Sequence, residues 1–298
     1  MARSTTYTAR RSVGQWIADV ATLVKFRLTL LVVFSSVMAF AVAAGTIAQW
    51  WGMLILAIGG FLVAGASNAI NQILERDYDI LMERTADRPV ASGRMQVSEA
   101  IAIAGFMLLF GIVALALFNP LTAFLGTLSF ILYAFIYTPL KRYSTIAVAV
   151  GAIPGAMPAL IGCVAFEGTV TWLAIVLFCL QFLWQFPHFW SIGWLSFDQY
   201  RNAGFKLVPA RNGEVDPALG KNTLLYGILL LPVCVMSYLV GTTGLIVTLL
   251  LAMASLWYTY NAYLFYKDFD RAAARRLMFS SFAYLPLILL IVLIGALV

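Results

Sequence analysis

Apolar residues fall into nine runs along the chain, separated by shorter polar stretches. Each run holds about 17–25 residues, the length that an α-helix needs to cross the apolar core of a bilayer. The runs lie at 28–47, 50–73, 99–118, 121–138, 146–166, 170–192, 223–240, 244–265 and 277–297. A membrane β-barrel would instead give short segments of alternating polarity. The pattern therefore predicts an all-α polytopic membrane protein with nine transmembrane helices.

The polar connections between the runs differ in length. Two long ones, at 74–98 and 193–222, follow the second and the sixth run, which lie four runs apart and so have the same orientation. We therefore predict two four-helix halves plus a ninth helix around a central cavity, with both long loops on one side. The predicted boundaries are a tail at 1–27 and one transmembrane domain at 28–298, divided into halves at 28–145 and 146–265 and a last helix at 277–297.

Composition and charge support a membrane location. Hydrophobic residues make up 62% of the chain and charged residues 11%, against roughly 25% charged residues in soluble domains. All nineteen lysines and arginines lie in the polar segments on one side of the predicted bundle. The positive-inside rule places that side, with the N-terminus, in the bacterial cytoplasm or the mitochondrial matrix, and the C-terminus outside. The net charge of +6 thus reflects topology and contact with membrane lipid or anionic ligands, not nucleic-acid binding.

The first long loop contains most of an acidic segment, NQILERDYDILMERTADRP at 71–89, with five acids and three arginines. The second helix is predicted to continue to about residue 80, so that Asn71, Glu75 and Asp79 stack along one helical face. Such oxygen ligands suit Mg²⁺, and the arginines that follow suit phosphate. These arginines are Arg84, Arg88 and Arg94. The segment predicts a magnesium–diphosphate site; the alternative is a solvated helix end whose acids and arginines pair with each other.

A second group of candidate residues lies around WQFPHFWSIGW at 184–194, which contains His188, the single histidine. From spacing alone, His188 fits a packing role and a ligand role equally. One helical path is predicted to continue from His188 to Asp198, a candidate for a second metal or phosphate contact. In YTPLKR, Tyr137 and Lys141 are four residues apart and share a helical face.

These segments resemble a known family. NQILERDYDILMERTADRP resembles the first acidic motif of the UbiA superfamily of intramembrane prenyltransferases, and YTPLKR resembles its Tyr-x-x-x-Lys element. FPHFWSIGW followed by FDQYRNAGFKLVP is similar to the haem O synthase branch, the protohaem IX farnesyltransferases. The likeness runs from about residue 25 to the C-terminus. Glu75 stands where many members have Asp, and the aspartate-rich second motif of most members is absent.

The resemblance implies a Mg²⁺-dependent reaction in which farnesyl diphosphate and haem B give haem O and diphosphate, for haem–copper oxidase biogenesis. A haem A synthase or an oxidase assembly protein is a candidate partner. The implied catalytic residues are Asn71, Glu75, Asp79, Tyr137, Lys141 and His188, and the implied metal ligands are Asn71, Glu75, Asp79 and Asp198. Arg84, Arg88, Arg94 and Lys141 would bind diphosphate; His188, Trp190, Arg142, Arg201 and Lys206 would bind haem. Tyr133, Tyr137, Phe186 and Trp190 are candidates to shield an allylic cation.

Three alternatives stay open at this point. Another member of the superfamily would prenylate an aromatic quinone precursor, although the Pro-His-Phe-Trp block argues against that. A transporter would carry ionisable residues near the middle of several spans, whereas the charges here lie at the ends of the predicted helices. A non-catalytic assembly subunit would leave the acidic face without a role.

Overall fold

The computed structural model describes residues 11–298; residues 1–10 of the predicted tail lie outside the described residues. In chain order the helices are α1 (Val13–Leu23), α2 (Phe26–Ala44), α3 (Trp50–Asp79), α4 (Val97–Ala116), α5 (Pro120–Ile131), a π-helical segment (Leu132–Tyr137), α6 (Thr138–Leu140), α7 (Ala147–Glu167), α8 (Trp172–Leu195), α9 (Phe197–Asn202), α10 (Ala218–Ile228), α11 (Leu230–Leu239), α12 (Leu245–Asp268) and α13 (Arg271–Leu297).

Within residues 11–298, nine helical spans are long and apolar enough to cross a membrane. The π-helical segment joins α5 and α6 into the fourth span, and α10 and α11 together form the seventh. The nine predicted spans are confirmed. The last one begins earlier than predicted, because Asp270 caps it: Oδ1 accepts a hydrogen bond of 2.7 Å from the amide of Ala273.

Part of the predicted tail is a helix. Ser12 and Gln15 form a reciprocal capping box at the start of α1, which fixes the first turn. Trp16 Nε1 donates a 2.7 Å hydrogen bond to Glu99 at the start of α4, and Arg11 forms an ion pair with the same carboxylate. The helix therefore lies beside the α3–α4 hairpin, with Ile17 exposed.

The core consists of two main clusters of buried side chains that meet at α7. One contains Leu56, Leu115 and Val164 of the first helices and α7; the other contains Leu180 and Leu277 of α8 and α13. α7 crosses α2 so closely that a Cβ built on Gly162 would lie 2.1 Å from the backbone oxygen of Ser36. Small residues permit such approaches between membrane helices, and this crossing holds the two clusters together.

The second long loop is folded. After α9, two short antiparallel strands, β1 (Ala210–Arg211) and β2 (Glu214–Val215), pair Ala210 with Val215. Asn212 and Gly213 form their turn with positive φ angles of 54° and 84°, as a type I′ hairpin requires. The loop packs on the first one, with the rings of Tyr78 and Phe205 5.8 Å apart. Both motif-bearing loops therefore lie at the same end of the bundle.

Candidate active site

The predicted oxygen ligands line one cavity. Asn71, Glu75 and Asp79 follow each other along one face of α3 and are at most 4% exposed. They border a cavity of about 160 Å³ at the end of the bundle where the two long loops meet. We call it the polar cavity. The i, i+4, i+8 spacing read from the sequence thus gives the expected face, and α3 continues through the motif as expected.

Each acid of the polar cavity is paired with a cation. Lys141 Nζ lies 2.5 Å from Glu75 Oε1, and Nη1 of Arg88 lies 2.8 and 2.7 Å from the two carboxylate oxygens of Asp79. Lys25 and Arg84 also line the cavity. Four cationic side chains against two carboxylates leave two formal positive charges in excess, so the cavity favours an anion.

Lys25 is a cavity residue that the sequence did not single out. It sits in a left-handed conformation, φ 48°, between α1 and α2, and Nζ donates a 3.0 Å hydrogen bond to Oδ1 of Asn71. Burial, followed by the positive charges of Arg88 and Lys141, lowers the pKa of the Lys25 ammonium to about 7. A second anionic group in the cavity would relieve this repulsion.

Side-chain amides of α3 fix the position of Lys25. Gln72 Nε2 donates to the carbonyls of Thr22 and Leu23 at 2.8 and 3.0 Å, and Asn68 Nδ2 donates to Thr29 Oγ1 at 3.1 Å. These bonds attach the junction between α1 and α2 to the helix that carries the acids. In the sequence, Asn68 and Gln72 are two further side-chain amides of α3, one on each side of Asn71.

The fourth span contributes an aromatic wall. Its π-helical segment ends at Tyr137, and Pro139, which has no N–H to donate, lies two residues further on. Tyr133 and Tyr137 line the cavity with ring centroids 5.3 Å apart. π-helical turns are frequent at functional sites. A Cβ at Gly151 of α7 would lie 2.6 Å from the Tyr137 ring, so this glycine makes room for it.

The same span also orients Asn71. Nδ2 of Asn71 donates to Thr138 Oγ1 at 3.1 Å, while that hydroxyl donates to the carbonyl of Tyr133 at 2.9 Å. Because Nδ2 is occupied by Thr138, Oδ1 is the amide atom that faces Lys25. The oxygen of Asn71 is thus directed to the same side as the carboxylates.

The second loop covers the polar cavity with aromatic and apolar side chains. Tyr200, Phe205 and Leu207 line it, and Arg84 donates a 3.3 Å hydrogen bond to the hydroxyl of Tyr200. Lys141 Nζ lies 4.8 Å from the ring centroid of Tyr137 and 5.7 Å from that of Phe205. The sequence predicted that this loop contributes to the site, but these three residues were not among the predicted site residues.

An apolar cavity of about 120 Å³ adjoins the polar one, and Leu28 and Tyr133 line both. Its other walls include Val33, Gly60 and Pro158 from α2, α3 and α7. Together the two cavities offer a charged end and an apolar end, which suits a ligand with an anionic head and a hydrocarbon tail.

The structure does not bring Asp198 to the polar cavity, and the prediction that it is a metal ligand is corrected here. α8 ends at Leu195, and Ser196, with φ −113° and ψ 17°, breaks the helical path before α9. Asp198 then projects to the surface, with its side chain 79% exposed and 3.1 Å from Arg201. The carboxylate of Asp198 therefore does not line the polar cavity with Asn71, Glu75 and Asp79.

Arg94, a predicted diphosphate ligand, is also directed elsewhere. Its guanidinium pairs with Asp19 of α1 at 3.0 Å and with Asp87 at 2.5 Å. It attaches α1 to the first loop. Arg84 and Arg88, by contrast, line the polar cavity.

The five predicted haem-binding residues are not gathered in one place. His188 faces α13, where Nδ1 lies 2.7 Å from Ser281 Oγ. Trp190 is buried against Phe186 and Tyr226, so two candidates for shielding a cation lie outside the polar cavity. Arg142 donates to the carbonyl of Leu74 at 2.6 Å. Arg201 and Lys206 are exposed in the second loop.

The oxygen atoms of the acidic face suit Mg²⁺. The cation prefers one or two carboxylates together with phosphate oxygens, and Glu75, Asp79 and Asn71 supply two carboxylates and an amide oxygen. Oε1 of Glu75 lies beside the ammonium of Lys141 but accepts no hydrogen bond of acceptable geometry. This oxygen can therefore accept a further ligand. Among residues 11–298, no three His, Cys, Asp or Glu residues gather as a closed metal centre. The site therefore suits an ion that shares its coordination with a substrate.

Curated proteins resemble the chain over most of its length. It is 41% identical over 271 residues to the protoheme IX farnesyltransferase of Cytophaga hutchinsonii, covering 89% of this chain and 93% of that protein. It is also 41% identical over 280 residues to the protoheme IX farnesyltransferase of Christiangramia forsetii, covering 91% of each.

Solved structures share the fold. A structure of digeranylgeranylglyceryl phosphate synthase matches 94% of this chain and 98% of its own, with a TM-score of 0.79 at 16% identity. A UbiA homologue from Archaeoglobus fulgidus bound to GPP and Mg²⁺ matches 92% of this chain and 99% of its own, with a TM-score of 0.65 at 15% identity.

Fold and cavity define an integral membrane protein whose charged site lies at one end of a nine-span bundle. Residues 32–283 match the UbiA prenyltransferase family. The chain belongs to this family, as the sequence motifs predicted.

Proposed function

We propose that this protein transfers the farnesyl group of farnesyl diphosphate to a vinyl group of haem B, giving haem O for haem–copper oxidase biogenesis. The observation that carries the reaction class is the acidic face of α3 opposite Lys25, Arg88 and Lys141 in the polar cavity. The choice of haem rests on the protoheme IX farnesyltransferases to which the chain is 41% identical.

The chain's cations would hold the diphosphate. Arg84 and Arg88 supply donors suited to phosphate oxygens, and Lys25 and Lys141 supply two ammonium groups. Glu75, Asp79 and Asn71 would hold Mg²⁺, which neutralises charge on the leaving diphosphate. As the acids turn to the metal, Arg88 and Lys141 would exchange a carboxylate partner for a phosphate. The apolar cavity beyond Tyr133 would receive the farnesyl tail.

Bond cleavage then follows from electrostatics. The bond between farnesyl C1 and oxygen breaks, and both electrons leave with the diphosphate, which the preorganised cations stabilise. Tyr133 and Tyr137 line the cavity where the allylic cation forms, and their ring faces attract positive charge. The two rings would also limit the access of water, which would otherwise react with the cation to give farnesol.

The second half of the reaction consumes the cation. The terminal carbon of the vinyl group donates its π electrons to C1, which leaves a cation on the carbon attached to the porphyrin. Water adds to that carbon and loses a proton, so the product carries a hydroxyethylfarnesyl group. His188 remains our candidate for seating the haem. Arg142, Arg201 and Lys206 are too dispersed to act as one set.

The orientation of the chain is part of the proposal. All nineteen lysines and arginines fall on one side of the nine spans, which supports a cytoplasmic N-terminus and an outer C-terminus in a bacterial inner membrane. A reporter that is active only outside the cytoplasm, fused after Val298, should be active. A silent reporter in a functional fusion would reverse the orientation.

Conversion of pigment tests the reaction directly. Membranes with and without the protein are incubated with haem B, farnesyl diphosphate and Mg²⁺, and the extracted pigment is analysed by mass. We expect haem that has gained one farnesyl group and one hydroxyl group only where the protein is present. Unchanged haem beside a prenylated aromatic acid, supplied in a parallel incubation, would instead favour the quinone-precursor reaction.

A further inference from the structure

His188 is held by α13 in one defined orientation. Its ring stacks on Trp184 with centroids 4.8 Å apart and an interplanar angle of 15°. Nδ1 lies 2.7 Å from the hydroxyl of Ser281, which is fully buried. Trp184 Nε1 also donates a 2.9 Å hydrogen bond to the backbone oxygen of Ser281. Ser281 is therefore fixed through both its backbone and its side chain.

The hydroxyl of Ser281 decides which nitrogen of His188 carries the proton. Ser281 Oγ donates to the carbonyl of Met278 at 2.5 Å. A carbonyl only accepts, and a serine has a single hydroxyl proton, so Oγ is the acceptor in its contact with His188. With Oγ donating to Met278, Nδ1 is the protonated nitrogen of this contact, and the lone pair of the neutral imidazole is then on Nε2.

Nε2 has no hydrogen-bond partner among residues 11–298, because the one hydrogen bond of the ring is made by Nδ1. A neutral imidazole whose Nδ1–H is held by a second residue is the usual form of a histidine metal ligand, and haem iron is commonly held by such a nitrogen.

The surroundings of His188 suit a flat apolar ligand. Phe282 lies edge-on to the imidazole at 5.3 Å and is 49% exposed. On the other side, the ring of Phe189 lies 5.4 Å from His188 and lines the polar cavity. The imidazole of His188 therefore contacts, through Phe189, a residue of the wall of the proposed reaction site. A porphyrin is several times wider than such a ring, so its vinyl edge would extend past Phe189.

We propose that Nε2 of His188 ligates the iron of the haem substrate, and that Ser281 is a positioning residue that holds the imidazole in the ligating tautomer. The inference rests on the proposed function, since it concerns how that substrate is seated. It extends the role of His188 from general seating to a named atom and adds a residue of α13 that the sequence motifs do not include.

The ligand is tested by spectroscopy on the purified full chain with haem B, without farnesyl diphosphate. We expect the absorption spectrum of a histidine-ligated haem, its loss in His188→Gly and its return with added imidazole. His188→Cys should give the spectrum of a thiolate-ligated haem, which a packing role would not produce. Spectra that do not change in either variant would overturn the proposal.

The positioning role is tested with two neighbouring serines. Ser280 is also buried and donates to the carbonyl of Leu277 at 2.8 Å, one residue before the pair formed by Ser281 and Met278. Ser281→Ala should raise the Kd and KM for haem about tenfold and shift the iron–histidine stretching frequency, with KM for farnesyl diphosphate unchanged. Ser280→Ala should leave all three as in the wild type. Equal effects of the two variants would reduce Ser281 to a packing residue.

The proposed function and the proposed ligation of the haem iron are contradicted by different results. If the wild type makes no haem O from haem B, the proposed function fails, whatever the spectra show. If the wild type makes haem O but keeps its haem spectrum and haem KM after replacement of His188, the function stands and the ligation is wrong.

Discussion

Nη1 of Arg88 lies within hydrogen-bond distance of both carboxylate oxygens of Asp79, at 2.8 and 2.7 Å, and Asp79 is completely buried. Removing one partner of a buried ion pair leaves the other charge uncompensated, at a cost of roughly 3–5 kcal/mol. A magnesium–diphosphate complex avoids this cost, because it offers a cation to Asp79 and an anion to Arg88 at the same time. In the proposed mechanism the pair would keep both charged groups in place until the metal and the diphosphate bind.

This exchange predicts that Asp79 cannot be replaced by its amide. Asp79→Asn preserves the shape of the side chain but loses a charge that would hold the metal, so we expect turnover to fall by about 10²–10³-fold. Asp77→Asn is the matched control, since Asp77 lies on the same helix end with its side chain 76% exposed and pairs only with Arg76. Haem O formation by purified variants is the measurement. Equal activity of the two would remove Asp79 from the mechanism.

A second prediction concerns Lys25. Its ammonium bonds to the neutral amide of Asn71 rather than to a carboxylate, which leaves it available to an anion. Loss of a hydrogen bond to a charged group costs roughly 1.5–3 kcal/mol, so Lys25→Met should raise KM for farnesyl diphosphate ten- to a hundredfold. KM for haem should change much less. Lys206→Met, at an exposed position, should leave both constants unchanged; a shared defect would indicate a general loss of folding.

Lys25 also shows where sequence reasoning reached its limit. Helix spans and the acidic face were predictable, because hydrophobic runs and four-residue spacing act locally. The position of Lys25 depends instead on a left-handed residue between two helices and on the amides of Gln72 and Asn68, more than forty positions away. No local pattern encodes such contacts.

The error over Asp198 has a related origin. A continuous helix from His188 was a reasonable extrapolation of the apolar pattern, but the break at Ser196 rotates everything that follows. The loop then presents Tyr200 and Phe205 to the cavity and Asp198 to the surface. The motif identified the correct loop, while the individual side chains depended on one backbone break.

Metal dependence provides a third prediction. Glu75, Asp79 and Asn71 offer only oxygen atoms, and within residues 11–298 no histidine or cysteine completes a cluster with them. A proposed ion there should therefore be held weakly until diphosphate adds its oxygens. Activity should therefore disappear in EDTA and return on addition of excess Mg²⁺, without refolding. Zn²⁺, which favours nitrogen and sulfur ligands, should restore it poorly. Full activity after exhaustive chelation would contradict the metal site itself.

The last prediction concerns the space behind Tyr137. Gly151 of α7 faces this ring, and an added Cβ would lie 2.6 Å from two of its carbons. Gly151→Ala should therefore push Tyr137 toward the polar cavity, with an overpacking cost of about 1–3 kcal/mol. We expect a lower thermal midpoint in detergent and a larger loss of kcat than of haem binding. Gly105→Ala on α4 is the matched control, because a Cβ there has no neighbour within 4 Å. If both variants keep wild-type turnover, the position of Tyr137 does not limit the reaction, and its proposed contact with the allylic cation is wrong.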